Sequence, residues 1–135
     1  MAAEHYGWGA TEIVGILKLC EKVLLLYMPG PHSAIDQYRL LYQDLQSFKS
    51  SFSRFTEQIA ASRQARTGDE PYPLPIECHE VHKTVQLCKQ FFKKARFDTS
   101  RIARAVAAIQ HIVYDGELAS ELRGRLSRHS QALLQ

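Results

Sequence analysis

Five side chains able to bind metal or act as nucleophiles lie near the middle of the chain: Glu77, Cys78, His79, His82 and Cys88. Cys78 and His82 are four apart, which puts both on one face if the segment is helical. Structural zinc takes four ligands, usually as two local pairs. Here the second pair is missing, because Cys88 lies six residues beyond His82, and no metal or cofactor is expected. A nucleophile would need a neighbouring base held by a third group. Cys20 sits within an apolar stretch, where a thiol stays protonated and inert. There is no GxSxG elbow, and Gly7-Trp8-Gly9 lacks the rest of a phosphate-binding loop. The carboxylate pair Asp69-Glu70 lies in a polar, proline-rich segment and reads as a solubility feature. No catalytic residue emerges, and a non-enzymatic role is expected.

With no catalytic centre to position, the elements themselves carry the functional signal. Ile13–Met28 reads IVGILKLCEKVLLLYM and stops at Pro29-Gly30-Pro31. As a helix it would be about 24 Å long, short of the roughly 30 Å hydrocarbon core of a bilayer. Thr11, Gly15, Lys18 and Lys22 form one narrow polar stripe and nearly everything else is apolar, the pattern of a helix buried at the centre of a bundle. A second helix is expected from Ser33 to about Ala65. Tyr38, Leu45, Phe52 and Ile59 are seven apart, and Leu41, Phe48 and Phe55 interleave with them at the same spacing, so the seven form a seam of a and d positions. Three phenylalanines in the seam suit mixed bundle packing better than a dimeric zipper. Residues 67–75 (TGDEPYPLP) form a stiff connector.

A third helix is expected over about Ile76–Arg96, with Val81, Val85, Cys88, Phe92 and Ala95 inward. Asp98 or Thr99 would cap a fourth to about Tyr114, with Ile102, Val106, Ile109 and Val113 inward. Asp115-Gly116 then breaks the pattern before a fifth helix, with Leu118, Leu122, Leu126, His129 and Leu133 on one face. No strand-period segment or internal repeat is visible. The expected class is all-α: an antiparallel bundle of four to five helices around the apolar N-terminal helix. It would form a single domain over 1–135, the N-terminal module of a longer protein.

The net charge of +3 is unevenly distributed. Residues 1–82 hold seven Lys/Arg and ten Asp/Glu, whereas residues 83–135 hold ten and four. Lys83, Lys89, Lys93, Lys94, Arg96, Arg101 and Arg104 face only Asp98 over their stretch. Such a run can meet an anionic lipid surface, or it is a solvated helix face. No recognisable reading module accompanies it, so nucleic acid is not the expected partner. Three cysteines, an odd count, and no secretory n-region point to reduced thiols and a cytoplasmic setting. Tyr6 and Trp8, ahead of the apolar helix, fit either a membrane interface or a lid over the bundle's end.

Three segments carry a resemblance to a known family: Ile13–Met28, QYRLLYQDLQSFKSSFSRF (Gln37–Phe55), and Ile112-Val113-Tyr114-Asp115-Gly116 followed by Leu118, Leu122, Leu126 and Leu133. Together they resemble the N-terminal HeLo and HeLo-like helical domains of fungal proteins, which have a similar Tyr-Asp-Gly run before an amphipathic helix. The resemblance implies a signalling module of programmed cell death or innate immunity, often ahead of a nucleotide-binding or repeat region as in NOD-like receptors. It also implies oligomerisation and triggered release of the N-terminal helix into a membrane, with the protein membrane-associated on activation. Ile16, Leu19, Val23, Leu24 and Leu26 would then contact lipid, and Lys89, Lys93, Lys94, Arg96 and Arg101 would attract anionic headgroups. Deep insertion would carry Lys18, Glu21 and Lys22 along, at roughly 2.5–3.5 kcal/mol for a charge such as Lys at the bilayer centre. The rival expectation is a scaffold or adaptor that self-associates or docks partner helices without touching lipid.

Overall fold

A computed structural model describes residues 6–29, 36–62, 71–99 and 104–134, and for 96–99 and 104–116 it describes the backbone alone. The class is all-α, with a small two-stranded sheet added. In chain order the elements are β1 (Tyr6–Trp8), α1 (Ala10–Leu26), α2 (Asp36–Ser62), β2 (Tyr72–Leu74), α3 (Cys78–Thr99) and α4 (Arg104–Leu134).

α2 supplies the middle of the core. Leu41, Leu45, Phe48 and Phe52 are fully buried, and Tyr38 nearly so, as the seam requires. The seam does not hold to its end. Phe55 and Ile59 are only half-buried, and Thr56 takes the inward position. A straight α-helix returns to the same face after 18 residues, five full turns, which is the separation of Tyr38 and Thr56. A strict heptad drifts by about 20° per repeat. Thr56 satisfies its hydroxyl by donating to the Ser53 carbonyl at 3.0 Å.

α3 buries Val81, Val85, Cys88, Phe92 and Ala95, as its pattern requires, together with Thr84 and Phe91. α4 buries Ala119, Leu122, Leu126 and Leu133. The broadest helix contact is α2 on α4, followed by α3 on α4, and α1 lies mainly against α2 and α3.

Four expectations are corrected. First, α1 is not surrounded. Ile13, Ile16, Cys20, Val23 and Leu24 are buried, while Val14, Leu25 and Leu26, and Met28 just beyond, are exposed. Apolar composition allows burial but does not compel it. Second, the chain does contain strands. β1 and β2 pair antiparallel, with Tyr6 opposite Leu74, Gly7 opposite Pro73 and Trp8 opposite Tyr72. Three-residue strands are too short to show a period of two. Third, Asp115-Gly116 does not end a helix, because α4 runs through it. An interior glycine costs only about 1 kcal/mol relative to alanine, which burial of Ala119, Leu122 and Leu126 in the turns that follow offsets. The described residues therefore hold four helices, the lower of the four to five expected. Fourth, Asp98 and Thr99 close α3 instead of opening the next helix, which begins at Arg104. Ile102 lies outside the described residues, as do the Ser33 start of the second helix and its expected last turn at 63–65.

Gly7 is required by close approach. A Cβ there would stand 2.9 Å from Cβ of Pro71. Next to it Trp8 is wholly buried, stacked at an angle on Phe52 with ring centroids 5.3 Å apart. Its indole N–H donates to the Ile76 carbonyl at 2.8 Å. Trp8 is thus a lid on the core.

Candidate functional site: the exposed face of α1 and its fastening

α1 begins at Gly9, whose extended backbone (φ −73°, ψ 155°) turns the chain into the helix. Gly9 has no side chain to cap with, but its own N–H donates to Glu12 Oε1 at 2.9 Å, one half of a capping box. That hydrogen bond, and then the Cys78 thiol, holds the Glu12 carboxyl below its ordinary pKa.

The far end is built differently. Tyr27 closes the helix at φ −116°, ψ 26°, with its N–H on the Val23 carbonyl at 3.0 Å, and a helix end leaves its last carbonyls without partners inside the helix. α2 takes two of them. The Tyr42 hydroxyl donates to the Leu24 carbonyl at 2.5 Å, and the Tyr38 hydroxyl donates to the Tyr27 carbonyl at 2.5 Å. Burial pushes the Tyr42 hydroxyl's pKa up, so it remains a donor. Phe92 of α3 packs against all three rings, with centroids 4.7 Å from Tyr38, 6.0 Å from Tyr42 and 6.2 Å from Tyr27.

The residues expected to meet lipid divide between the two faces of α1. Ile16, Val23 and Leu24 point into the core, Leu19 is half-buried, and Leu26 is 49% exposed. The apolar surface already outside is Leu25 at 67%, Met28 at 57% and Val14 at 47%, with the exposed Lys18 and Lys22 between them on the helix. Sequence periodicity missed Val14, Leu25 and Met28 because a nearly all-apolar helix does not mark its outer face. It also missed the hydroxyls of Tyr38 and Tyr42. Their signal was tyrosine at inward positions, where a buried hydroxyl needs an acceptor.

The basic patch is only partly in view. Lys93 and Lys94 are exposed and Lys89 is half-buried, whereas the Arg96 side chain and all of Arg101 lie outside the described residues. Cys20 and Cys88 are fully buried, and burial pushes both thiols up to about 12. Burial and the neighbouring Glu12 carboxylate push the Cys78 thiol up to about 11. Among the described residues no three His, Cys, Asp or Glu side chains converge as a metal site would require, and no helix is long and apolar enough to cross a membrane.

Two further polar contacts among the described residues join α4 to α2 and α3. The Arg123 guanidinium of α4 meets Asp44 of α2 at 2.6 Å, at the edge of a shallow groove lined by Ser47, Gly124, Ser127 and Ser130. His129 Nε2 of α4 lies 3.0 Å from Thr84 Oγ1, which itself donates to the Glu80 carbonyl at 2.9 Å. The Thr84 hydroxyl directs its one hydrogen to the Glu80 backbone carbonyl, so the imidazole N–H is the donor between Thr84 and His129. Burial and the nearby Arg128 hold the His129 pKa below its ordinary value.

Comparison with known proteins returns no match: no family model, no curated protein and no solved structure corresponds to this chain.

Proposed function

We propose that this chain is a non-enzymatic helical signalling module that works by docking α1 on a second surface, in keeping with its resemblance to fungal HeLo-like domains of cell-death and innate-immunity proteins. The observation that carries the reading is the exposure of Leu25, Leu26 and Met28 at one end of α1, with Lys22 about one turn and Lys18 about two turns before Leu25. An apolar tip beside cations is chemically matched to an anionic membrane, where leucine and methionine enter the acyl boundary and lysine meets phosphate. Full release of α1, with Ile16, Val23 and Leu24 reaching lipid, is the second and deeper stage, and self-association accompanies it. The described basic residues Lys89, Lys93 and Lys94 add long-range attraction to the same membrane.

A scaffold role without lipid is the rival reading. It is favoured by the packing of Ile16, Val23 and Leu24 into the core, which leaves most of the expected lipid contacts engaged within the fold.

Co-sedimentation with phosphatidylserine-containing vesicles, alongside dye release from them, tests the proposal. Wild type binds, Leu25→Glu and Leu26→Glu weaken binding while the fold is kept, and added salt reduces the lysine contribution. If wild type leaves the vesicles untouched at low salt, the membrane reading is wrong, and light scattering on the same sample then tests self-association.

A further inference from the structure

We infer that the hydroxyls of Tyr38 and Tyr42 form a latch that keeps the buried face of α1 closed against the core, so that α2 controls whether that face becomes available. The inference rests on the proposed docking role of α1 and adds its regulation.

The argument starts from the helix end. A helix terminus leaves its last carbonyls without partners inside the helix. Many helices satisfy some of them locally, through a glycine just past the end. Here the carbonyls of Leu24 and Tyr27 are taken by side chains from another element. Among the described residues these two contacts fasten the end of α1 from outside, and they hold while α2 lies beside it. Both donors are nearly buried, Tyr42 at 6% and Tyr38 at 5% exposure, so water does not readily replace them.

The latch sits at the boundary between the two faces of α1. Leu24, whose carbonyl is held, is 9% exposed, and Leu25, the next residue, is 67% exposed. Parting this end from α2 would uncover Val23 and Leu24 directly beside Leu25, Leu26 and Met28, turning a small apolar tip into a continuous apolar surface. The opposite end of α1 is anchored separately, by Gly9–Glu12 and by the neighbouring Trp8 lid. Opening is therefore directional: the C-terminal turns part first and the N-terminal turn stays in place.

Tyrosine-to-phenylalanine substitution isolates the hydroxyls, because the ring contacts with Phe92 and Phe91 are kept. The test is amide hydrogen exchange on the full chain, comparing wild type, Tyr42→Phe and the Tyr38→Phe/Tyr42→Phe double variant. Exchange in the last two turns of α1 is expected to rise about fivefold in the single variant and about thirtyfold in the double, with the buried turns of α4 unchanged. Alkylation of Cys20, buried on the same helix, should rise in parallel relative to the half-exposed Cys78. Unchanged exchange in α1 would overturn the latch, as would an equal rise across α1 and α4, which marks general loosening. Vesicle binding by the double variant reports separately on the docking role. A selective rise in exchange without stronger binding to phosphatidylserine vesicles leaves the latch standing and overturns the released, deeper stage of the membrane reading.

Discussion

Replacing Trp8 with phenylalanine keeps an aromatic ring in the lid but removes the indole N–H and part of the ring's volume. The Ile76 carbonyl would lose the donor at 2.8 Å, and Ile76 itself is only 7% exposed, so water cannot easily take its place. Leaving a buried acceptor unsatisfied costs about 1–3 kcal/mol. The smaller ring also retreats from Phe52, now 5.3 Å away between centroids, which adds a cavity term. Together these predict a loss of about 2–4 kcal/mol, a large part of the roughly 5–15 kcal/mol that holds a domain of this size. Urea unfolding followed by far-UV circular dichroism gives the number directly. Trp8 is the only tryptophan, so its fluorescence offers a second probe in the wild type. A Trp8→Phe variant within about 0.5 kcal/mol of wild type would show that the hydrogen bond and the lid do not stabilise the fold as argued.

Leu24→Glu and Leu25→Glu, one residue apart, should behave oppositely. The first places a carboxylate in the core and costs several kcal/mol, while the second stays within about 0.5 kcal/mol of wild type, as thermal melts would show. Gly7→Ala should destabilise by about 1–3 kcal/mol, because its Cβ would meet Pro71 and part the two strands; a melting temperature equal to wild type would contradict the close approach. The depressed pKa of His129 means that the unfolded chain takes up this proton more readily than the folded one. Stability is therefore whole above the ordinary imidazole pKa of about 6.5 and declines as pH falls below it, and His129→Gln should flatten the curve between about pH 7 and 5.5. If wild type and variant show the same pH dependence, the buried imidazole is not its source.

What was legible in the sequence follows from period and length. The α2 seam repeats over three heptads, so Leu41, Leu45, Phe48 and Phe52 announce a buried face, and the inward line of α3 reads as clearly. The strands could not be read, since Tyr6–Trp8 and Tyr72–Leu74 are each three residues long and derive their pairing from a partner far along the chain. Asp115-Gly116 looked like punctuation because local propensity is weak there, whereas the buried Ala119, Leu122 and Leu126 that follow decide the matter through packing. The outer face of α1 was hidden for the opposite reason: Val14, Leu25 and Leu26 are chemically the same as the residues that are buried. A candidate docking surface at the N-terminal helix was therefore visible, but not which of its leucines face outward, nor that two tyrosines of the next helix hold its end.

The ribbon between β1 and β2 has a kinetic meaning. Its hydrogen bond from Trp8 to Ile76 closes a loop of 68 residues, which encloses all of α1 and α2. Closing a loop of that length in a flexible chain costs roughly 4 kcal/mol of chain entropy, a cost that falls once α1 and α2 are formed and packed within it. The ribbon should therefore assemble late, after α2 has met α3 and α4, and be little formed in the folding transition state. Substitutions in it would then leave the folding rate nearly untouched and speed unfolding instead. The N-terminal strand should then be a belt buckled last, setting how long the native state survives rather than how quickly it forms.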